Sequence, residues 1–330
     1  MLEKLTFKSA LVTGGAGFIG RHVVRALLER GVSVQVFDDL STGERSAVPQ
    51  GAELVEGDIR NAEQIAEAAC GIEAIFHVAA NASGTRSVLD PLFDFGINVQ
   101  GTVNVLDAAR KTGAMVVHVS SAAVYGMPAY SPMDEKHPHR IQIPYGASKH
   151  AAEGYCEVYA RVYDMRVVIG RPFCVYGPGE NAATSLVEVG RYARWHLNDQ
   201  PIHLVGDMDK KIRDFVHVDD IVQGLFVLAE HGESGQAYSI GSGEQISMRK
   251  LVQTIWDASG REPQIAHISI QDDSYSLTAD ISKLKSLGYE PQIVLSEGVP
   301  RLVQELGDKP EIPGGKTLFN PGQDEIEPEP

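Results

Sequence analysis

Two side chains one helical turn apart give this chain a possible chemistry. The stretch PYGASKH, residues 144–150, sets Tyr145 and Lys149 four positions apart, so on a helix both rise from one face. A free tyrosine loses its proton near pH ~10, too late to serve as a base at neutral pH. A neighbouring ammonium favours the phenolate and would bring that value toward the working range. A core tyrosine beside a surface lysine spells the same letters, so the pair gains meaning only from its surroundings. Upstream, MVVHVSSAAVYG (residues 115–126) reads as a strand ending in Ser120 and Ser121. A serine there is either a strand-end cap or a hydroxyl facing the tyrosine from the same sheet edge.

The elements that would position these groups begin at the amino terminus. SALVT (residues 9–13) reads as a buried strand, GGAGFIG (14–20) as a glycine turn and RHVVRALLERG (21–31) as a helix stopped by Gly31. A second strand, residues 32–37, closes on Asp38 and Asp39. Strand, glycine turn, helix, strand and acid are the setting in which a glycine string becomes a dinucleotide fingerprint. Glycines let the backbone approach a pyrophosphate, and the helix N-terminus offers it unpaired N–H groups. Asp38 stands 18 residues past Gly20, placed to accept from ribose hydroxyls and to repel a 2′-phosphate, so NAD is expected rather than NADP. The alternation continues with a third strand before Asp58 and Ile59, where an adenine would lie, and a fourth over residues 74–83 with small residues at its end. One long helix is expected over residues 91–112, carrying Asn98.

Composition sets the bounds. The 330 residues carry a formal net charge of -15, which argues against nucleic acid or an anionic membrane as partner. Cys70, Cys156 and Cys174 are widely spaced and read as buried free thiols rather than a disulfide or zinc site. No apolar run approaches the ~20 residues of a membrane helix, and no signal peptide is visible, so a soluble cytoplasmic protein is expected. His77, His118, His137, His139, His203 and His217 show no metal-ligand spacing, so no metal is expected.

Together TGGAGFIG, Asp38, Gly57-Asp58, HVAA, Asn98-Val99 with Gly101-Thr102, SSAAVYG and the Tyr145–Lys149 pair resemble the extended short-chain dehydrogenase/reductases. Within them the chain looks most like nucleotide-sugar epimerases and dehydratases, and RPFCVYGPG, RDFVHVDD, YSIGSGE and ADISKLKSLGYEP extend the likeness to about residue 305. The resemblance implies an α/β fold, a Rossmann-type doubly wound parallel sheet with a smaller α/β substrate-binding domain. It implies Ser121, Tyr145 and Lys149 as catalytic residues, the tyrosine as acid/base and the lysine on the nicotinamide ribose. NAD contacts would come from Gly14, Gly17, Phe18, Ile19, Gly20, Asp38, Asp39, Asp58, Ile59, Val78, Ala79, Ala80, Asn98, Tyr145, Lys149, Pro172 and Phe173.

A nucleotide sugar would meet Ser121, Ala122, Tyr145, Cys174 and Arg213. Related 4,6-dehydratases carry an Asp-Glu pair after the catalytic hydroxyl; here stand Ala122 and Ala123, which leaves C4 epimerisation through a transient keto sugar as the expected reaction. Another oxidoreductase, dehydratase or decarboxylase outcome, or an NAD-binding regulator without catalysis, are the alternatives. Cys174 replaces a common asparagine, and SYSL (residues 274–277) lacks an arginine often found there, so the diphosphate clamp looks thin. Arg213 is the surviving phosphate ligand, or else a structural partner of Asp219 or Asp220. Arg191, Arg194, Lys210 and Lys211 read as helpers or surface charges.

The expected domains are residues 1–172 with about 213–239 for NAD, residues 173–212 and 240–305 for substrate, and a disordered acidic tail from 306 to 330. Relatives dimerise through the two helices that here hold Val99, Val103, Leu106, Tyr155, Val158 and Tyr159, so a homodimer is expected.

Overall fold

A computed structural model describes residues 4–182, 187–268 and 274–312 of the chain. In chain order the strands are β1 (Ser9–Thr13), β2 (Ser33–Asp38), β3 (Glu53–Glu56), β4 (Ala74–His77), β5 (Met115–Val119), β6 (Val167–Pro172), β7 (Cys174–Tyr176), β8 (Ile202–Val205), β9 (Ile212–Arg213), β10 (Phe215–His217), β11 (Ala237–Ile240), β12 (Ile246–Ser247), β13 (Ile265–Ile268) and β14 (Ser276–Leu277). The helices are α1 (Phe18–Glu29), α2 (Ala62–Ala68), α3 (Gly84–Leu89), α4 (Pro91–Phe95), α5 (Thr102–Thr112), α6 (Pro144–Tyr163), α7 (Glu188–Leu197), α8 (Val218–His231), α9 (Met248–Ser259), α10 (Ser282–Lys285) and α11 (Leu295–Leu306).

Seven strands form one parallel sheet in the order β11-β6-β5-β4-β1-β2-β3. Strands such as AIFH of β4 are buried at every position, which is why they read as continuous apolar runs rather than alternating ones. Val23, Val24 and Leu27 of α1 and Ile221, Leu225 and Leu228 of α8 pack on one face. Ile65 of α2, Val105 and Leu106 of α5 and Cys156 of α6 pack in the cluster on the other. This is the doubly wound architecture, and its strand order reverses between β1 and β4, where such sheets open a ligand crevice at their carboxyl edge. A separate core of Val189, Tyr192, Leu251, Ile255, Val299 and Leu302 holds α7, α9 and α11 together.

Several local expectations change. The fourth strand stops at His77, six residues short, because the chain then leaves the ladder to run along the crevice. The long helix of residues 91–112 is interrupted by a π-helical turn, Gly96–Gly101, between α4 and α5. Cys70 is exposed, while Cys156 is buried and Cys174 half-buried; all are free thiols. The tail begins ordered: Arg194 donates to the Glu311 carbonyl (2.9 Å) and Asn198 to that of Pro310 (2.7 Å), docking it on α7. Residues 313–330, the rest of that tail, lie outside the described residues. Among the described residues no helix is long and apolar enough to cross a membrane.

Candidate active site

The turn after β1 leaves no room for side chains. Gly14 has φ 71°, and a Cβ there would stand 2.7 Å from the backbone of Ala79 beyond β4. A Cβ on Gly20 would run into the Gly14 carbonyl oxygen. α1 starts at Phe18 with Gly17 as its N-cap and no capping side chain, so Phe18, Ile19 and Gly20 present their amides at a positive helix end. Asp38, at the carboxyl end of β2, accepts from Ala16 N and Leu40 N, each at 2.9 Å. Each carboxylate oxygen keeps a second lone pair for a ribose hydroxyl. A glycine cradle that any Cβ would fill, a bare helix start and an acid at the next strand end fit a dinucleotide.

Other expected contacts are less open. Asp39 is tied to Ser41 N (2.9 Å), and Asp58 is chelated by Arg60 at 2.6–3.1 Å. Ile59 is only 6 % exposed and presses on Gly101 of the π-helical turn, leaving little of its side chain for an adenine. Val78 and Ala79 hang by their amides from the Thr13 carbonyl (3.1 and 2.9 Å), with Ala80 following in the half-open crevice wall. Pro172 and Phe173 are buried where β6 ends.

Tyr145 and Lys149 lie in the first turns of α6 and Ser121 just past β5, all at that carboxyl edge. Pro144 suits the first helical position, while the N-cap Ile143 offers no side-chain cap. The cap comes from α3: buried Ser87 accepts from Tyr145 N at 3.1 Å and donates to the Gly84 carbonyl at 2.7 Å. Tyr145 is half-buried, and desolvation pushes its pKa up, with the nearby Ser121 hydroxyl acting to lower it. Ser121 Oγ also accepts from Ala123 N at 3.1 Å, which fixes its rotamer. Lys149 is buried and donates to the Val119 carbonyl at 2.7 Å; desolvation brings its pKa down to about 8.

The expected lowering of the tyrosine by the lysine gives way to a rise set by burial. The ammonium is turned onto the Val119 carbonyl, and burial dominates both groups.

Asn98 is also not aimed at a ligand. It is buried, accepts from Asn81 N (2.9 Å), and its amide group contacts Asn81 O (3.1 Å), Asp94 Oδ1 (3.0 Å) and Ser148 Oγ (3.0 Å). Ser148 in turn donates to the Tyr145 carbonyl at 3.0 Å, so Asn98 steadies the turn that carries Tyr145. Below it, His77 bridges Thr13 (2.7 Å) and Thr102 (3.0 Å), and burial lowers its pKa to about 3. Sequence reasoning missed Asn81, Ser87, Asp94 and Ser148. It also missed Glu153, which stands one turn beyond Lys149 and grips Arg171 with both oxygens at 2.9 and 2.7 Å. The available signals were the four-residue spacings Asp94–Asn98 and Lys149–Glu153.

On the substrate side Cys174 is half-buried, and burial holds its thiol up at about 12, so it stays protonated. Arg213 is 5 % exposed, donates to the carbonyls of Ile212 (2.9 Å) and Tyr275 (2.8 Å) and lies 4.9 Å over the Tyr275 ring. Among the described residues its carboxylate is Glu188 (3.9 Å), shared with Lys211 (3.3 Å), rather than Asp219 or Asp220. Burial alone would raise Glu188, but Lys211, Arg213 and Arg191 together hold it at about 2. Asp219 pairs instead with His22, and Asp220 accepts from Gln292 N and Ile293 N. Lys211 is buried beside Arg213, Lys210 is exposed, and Arg194 serves the fold through the Glu180 carbonyl.

The sequence profile of the NAD dependent epimerase/dehydratase family matches residues 10–241. A UDP-glucose 4-epimerase of Mycolicibacterium smegmatis is 35 % identical over 309 residues, 91 % of this chain and 98 % of that one. The crystal structure of a Thermus thermophilus UDP-glucose 4-epimerase in complex with NAD superposes with TM-score 0.82 at 34 % identity, covering 90 % of this chain and 98 % of that one. A UDP-glucose 4-epimerase from Thermotoga maritima with UDP-glucose gives TM-score 0.85 at 30 % identity, covering 90 % and 98 %.

Proposed function

This chain belongs to the NAD-dependent epimerase/dehydratase family, and we propose that it is a nucleotide-sugar 4-epimerase acting on a UDP-hexose. The observation that carries the reading is Ser121, Tyr145 and Lys149 gathered at the crevice edge, with only methyl groups at Ala122 and Ala123 beside them. NAD, which the glycine turn, the start of α1 and Asp38 would hold, would supply a hydride acceptor and donor at the sugar C4. Tyr145 takes the proton of the C4 hydroxyl and gives it back on the other face. Ser121, held by Ala123 N, donates to the same oxygen as it gains double-bond character. Lys149, its ammonium on the Val119 carbonyl, keeps a positive charge one helical turn from Tyr145. No carboxylate stands at positions 122 and 123 to expel a C6 hydroxyl, which disfavours dehydration.

Arg213, with Lys211 beside it, is the proposed clamp for the diphosphate, and Cys174 lines the sugar pocket. The glycine loop with Asp38 is the proposed NAD site. The proposed NAD-binding part is residues 1–172 with about 213–239. We also propose a homodimer. Val99 and Leu106 are buried within the chain, but Leu92, Phe95, Tyr155, Val158, Val162 and Tyr163 leave an exposed apolar face on α4 and α6 that suits a second copy.

The test is conversion of UDP-glucose to UDP-galactose, followed with a coupled dehydrogenase assay. Tyr145→Phe is expected to lower kcat by about a thousandfold with NAD still bound, within the range of acid–base catalysis. Near-full turnover by that variant would remove the assignment.

A further inference from the structure

The wall behind Tyr145 contains a carboxylate that the reading above does not use. Asp94, on α4, is 1 % exposed. Its Oδ1 accepts from Asn81 Nδ2 at 2.7 Å and from Asn98 Nδ2 at 3.0 Å, while its Oδ2 is buried with no hydrogen-bond partner among the described residues. A buried carboxylate oxygen left unpaired is costly and calls for an explanation.

Its position is built rather than incidental. Asp94 and Asn98 stand four residues apart across the start of the π-helical turn. π turns inside α-helices recur at functional sites. From Asn98 the chain of hydrogen bonds runs to Ser148 Oγ (3.0 Å) and on to the carbonyl of Tyr145 (3.0 Å). The negative charge is felt by both catalytic groups on α6: it opposes ionisation of Tyr145 and favours the charged form of Lys149.

We propose that Asp94 is a positioning residue of the reaction: through Asn98 and Ser148 it fixes the turn that bears Tyr145, and its buried charge balances the Lys149 ammonium within the site. The idea rests on Tyr145 and Lys149 being the working pair. Around Tyr145 the other group acting on the phenol is Ser121. Around Lys149 they are Glu153 and Cys156 of α6, with His77 of β4 and His118 of β5 held neutral by burial.

The experiment replaces the charge and keeps the shape. Asp94→Asn, with Asp94→Ser in parallel, is compared with the parent chain, each with and without Tyr145→Phe so that ultraviolet difference titration isolates one phenol. Tyr145 is expected to ionise about one pH unit lower without Asp94, the low end for loss of a nearby like charge. The kcat–pH profile on UDP-glucose is expected to slide to lower pH on both limbs, since Lys149 also loses its supporting charge. A profile reduced in height but not displaced, with the Tyr145 titration unchanged, overturns the proposal. So does failure of both variants to fold, which makes Asp94 purely architectural. The titration is read without substrate, so it stands even if the enzyme acts on something other than UDP-glucose.

Discussion

Tyr145 and Lys149 meet opposite demands at one spot, since burial that strengthens electrostatics also discourages both charges. Lys149 titrates near 8, and its contribution needs the ammonium. kcat is therefore expected to fall as pH rises through about 8, and Lys149→Met is expected to lose that limb along with most activity. Glu153 works the other way. Burial would raise it, but the His150 ring at 3.8 Å and the two hydrogen bonds from Arg171 hold it at about 2 instead of its ordinary 4.5. A depressed carboxylate adds stability that is complete above pH ~4.5 and lost as pH falls toward about 2. Glu153→Gln would leave Arg171 charged and buried, a loss of about 3–5 kcal/mol. Urea unfolding at pH 7 should show that deficit, and it should shrink at pH 3. A deficit independent of pH would mean that packing, not charge, was lost.

At the level of elements, the glycine turn couples two strands. Gly20→Ala would push a methyl group into the Gly14 carbonyl, and backbone cannot swing aside as a side chain can. The loop must shift, at about 1–3 kcal/mol of strain. NAD affinity by calorimetry should fall more than about tenfold while the far-ultraviolet spectrum stays unchanged; unaltered affinity would detach this turn from the cofactor. The same turn shows why part of the molecule was legible in the sequence. Strand, glycines, helix and acid are local in order and governed by local geometry, as are the four-residue spacing of Tyr145 and Lys149 and the serine at the end of β5. What escaped depends on distant neighbours. The π-helical turn adds one residue to a loop of helix and leaves no mark in periodicity, so residues 91–112 read as one smooth helix. Ser87 caps Tyr145 from 58 residues away, and Lys149 turns to Val119 rather than to the phenol. Arg213 finds Glu188, not the acids nearest in sequence.

For the whole molecule, α6 is the element that would join the proposed chemistry to the proposed dimer. Its first turns carry Tyr145 and Lys149, and its far half exposes Tyr155, Val158, Val162 and Tyr163. Leu92, 81 % exposed, and Phe95, 53 % exposed, flank them on α4, beside Asp94 and the π-helical turn. Two copies each carrying a net charge of -15 repel at long range, so association must come from apolar area rather than charge pairing. Covering this face would restrain α6 and α4 together, the helix that bears Tyr145 and the one packed against it. Sedimentation velocity at micromolar concentration should show a dimer, and Phe95→Ser with Val158→Lys should give a monomer. The monomer is expected to melt several degrees lower and to lose kcat more than it gains in KM, because its catalytic helix is less firmly held while the substrate half, built on α7, α9 and α11, is untouched. A parent chain that sediments as a monomer, or a monomeric variant with full kcat, would separate assembly from catalysis in this enzyme.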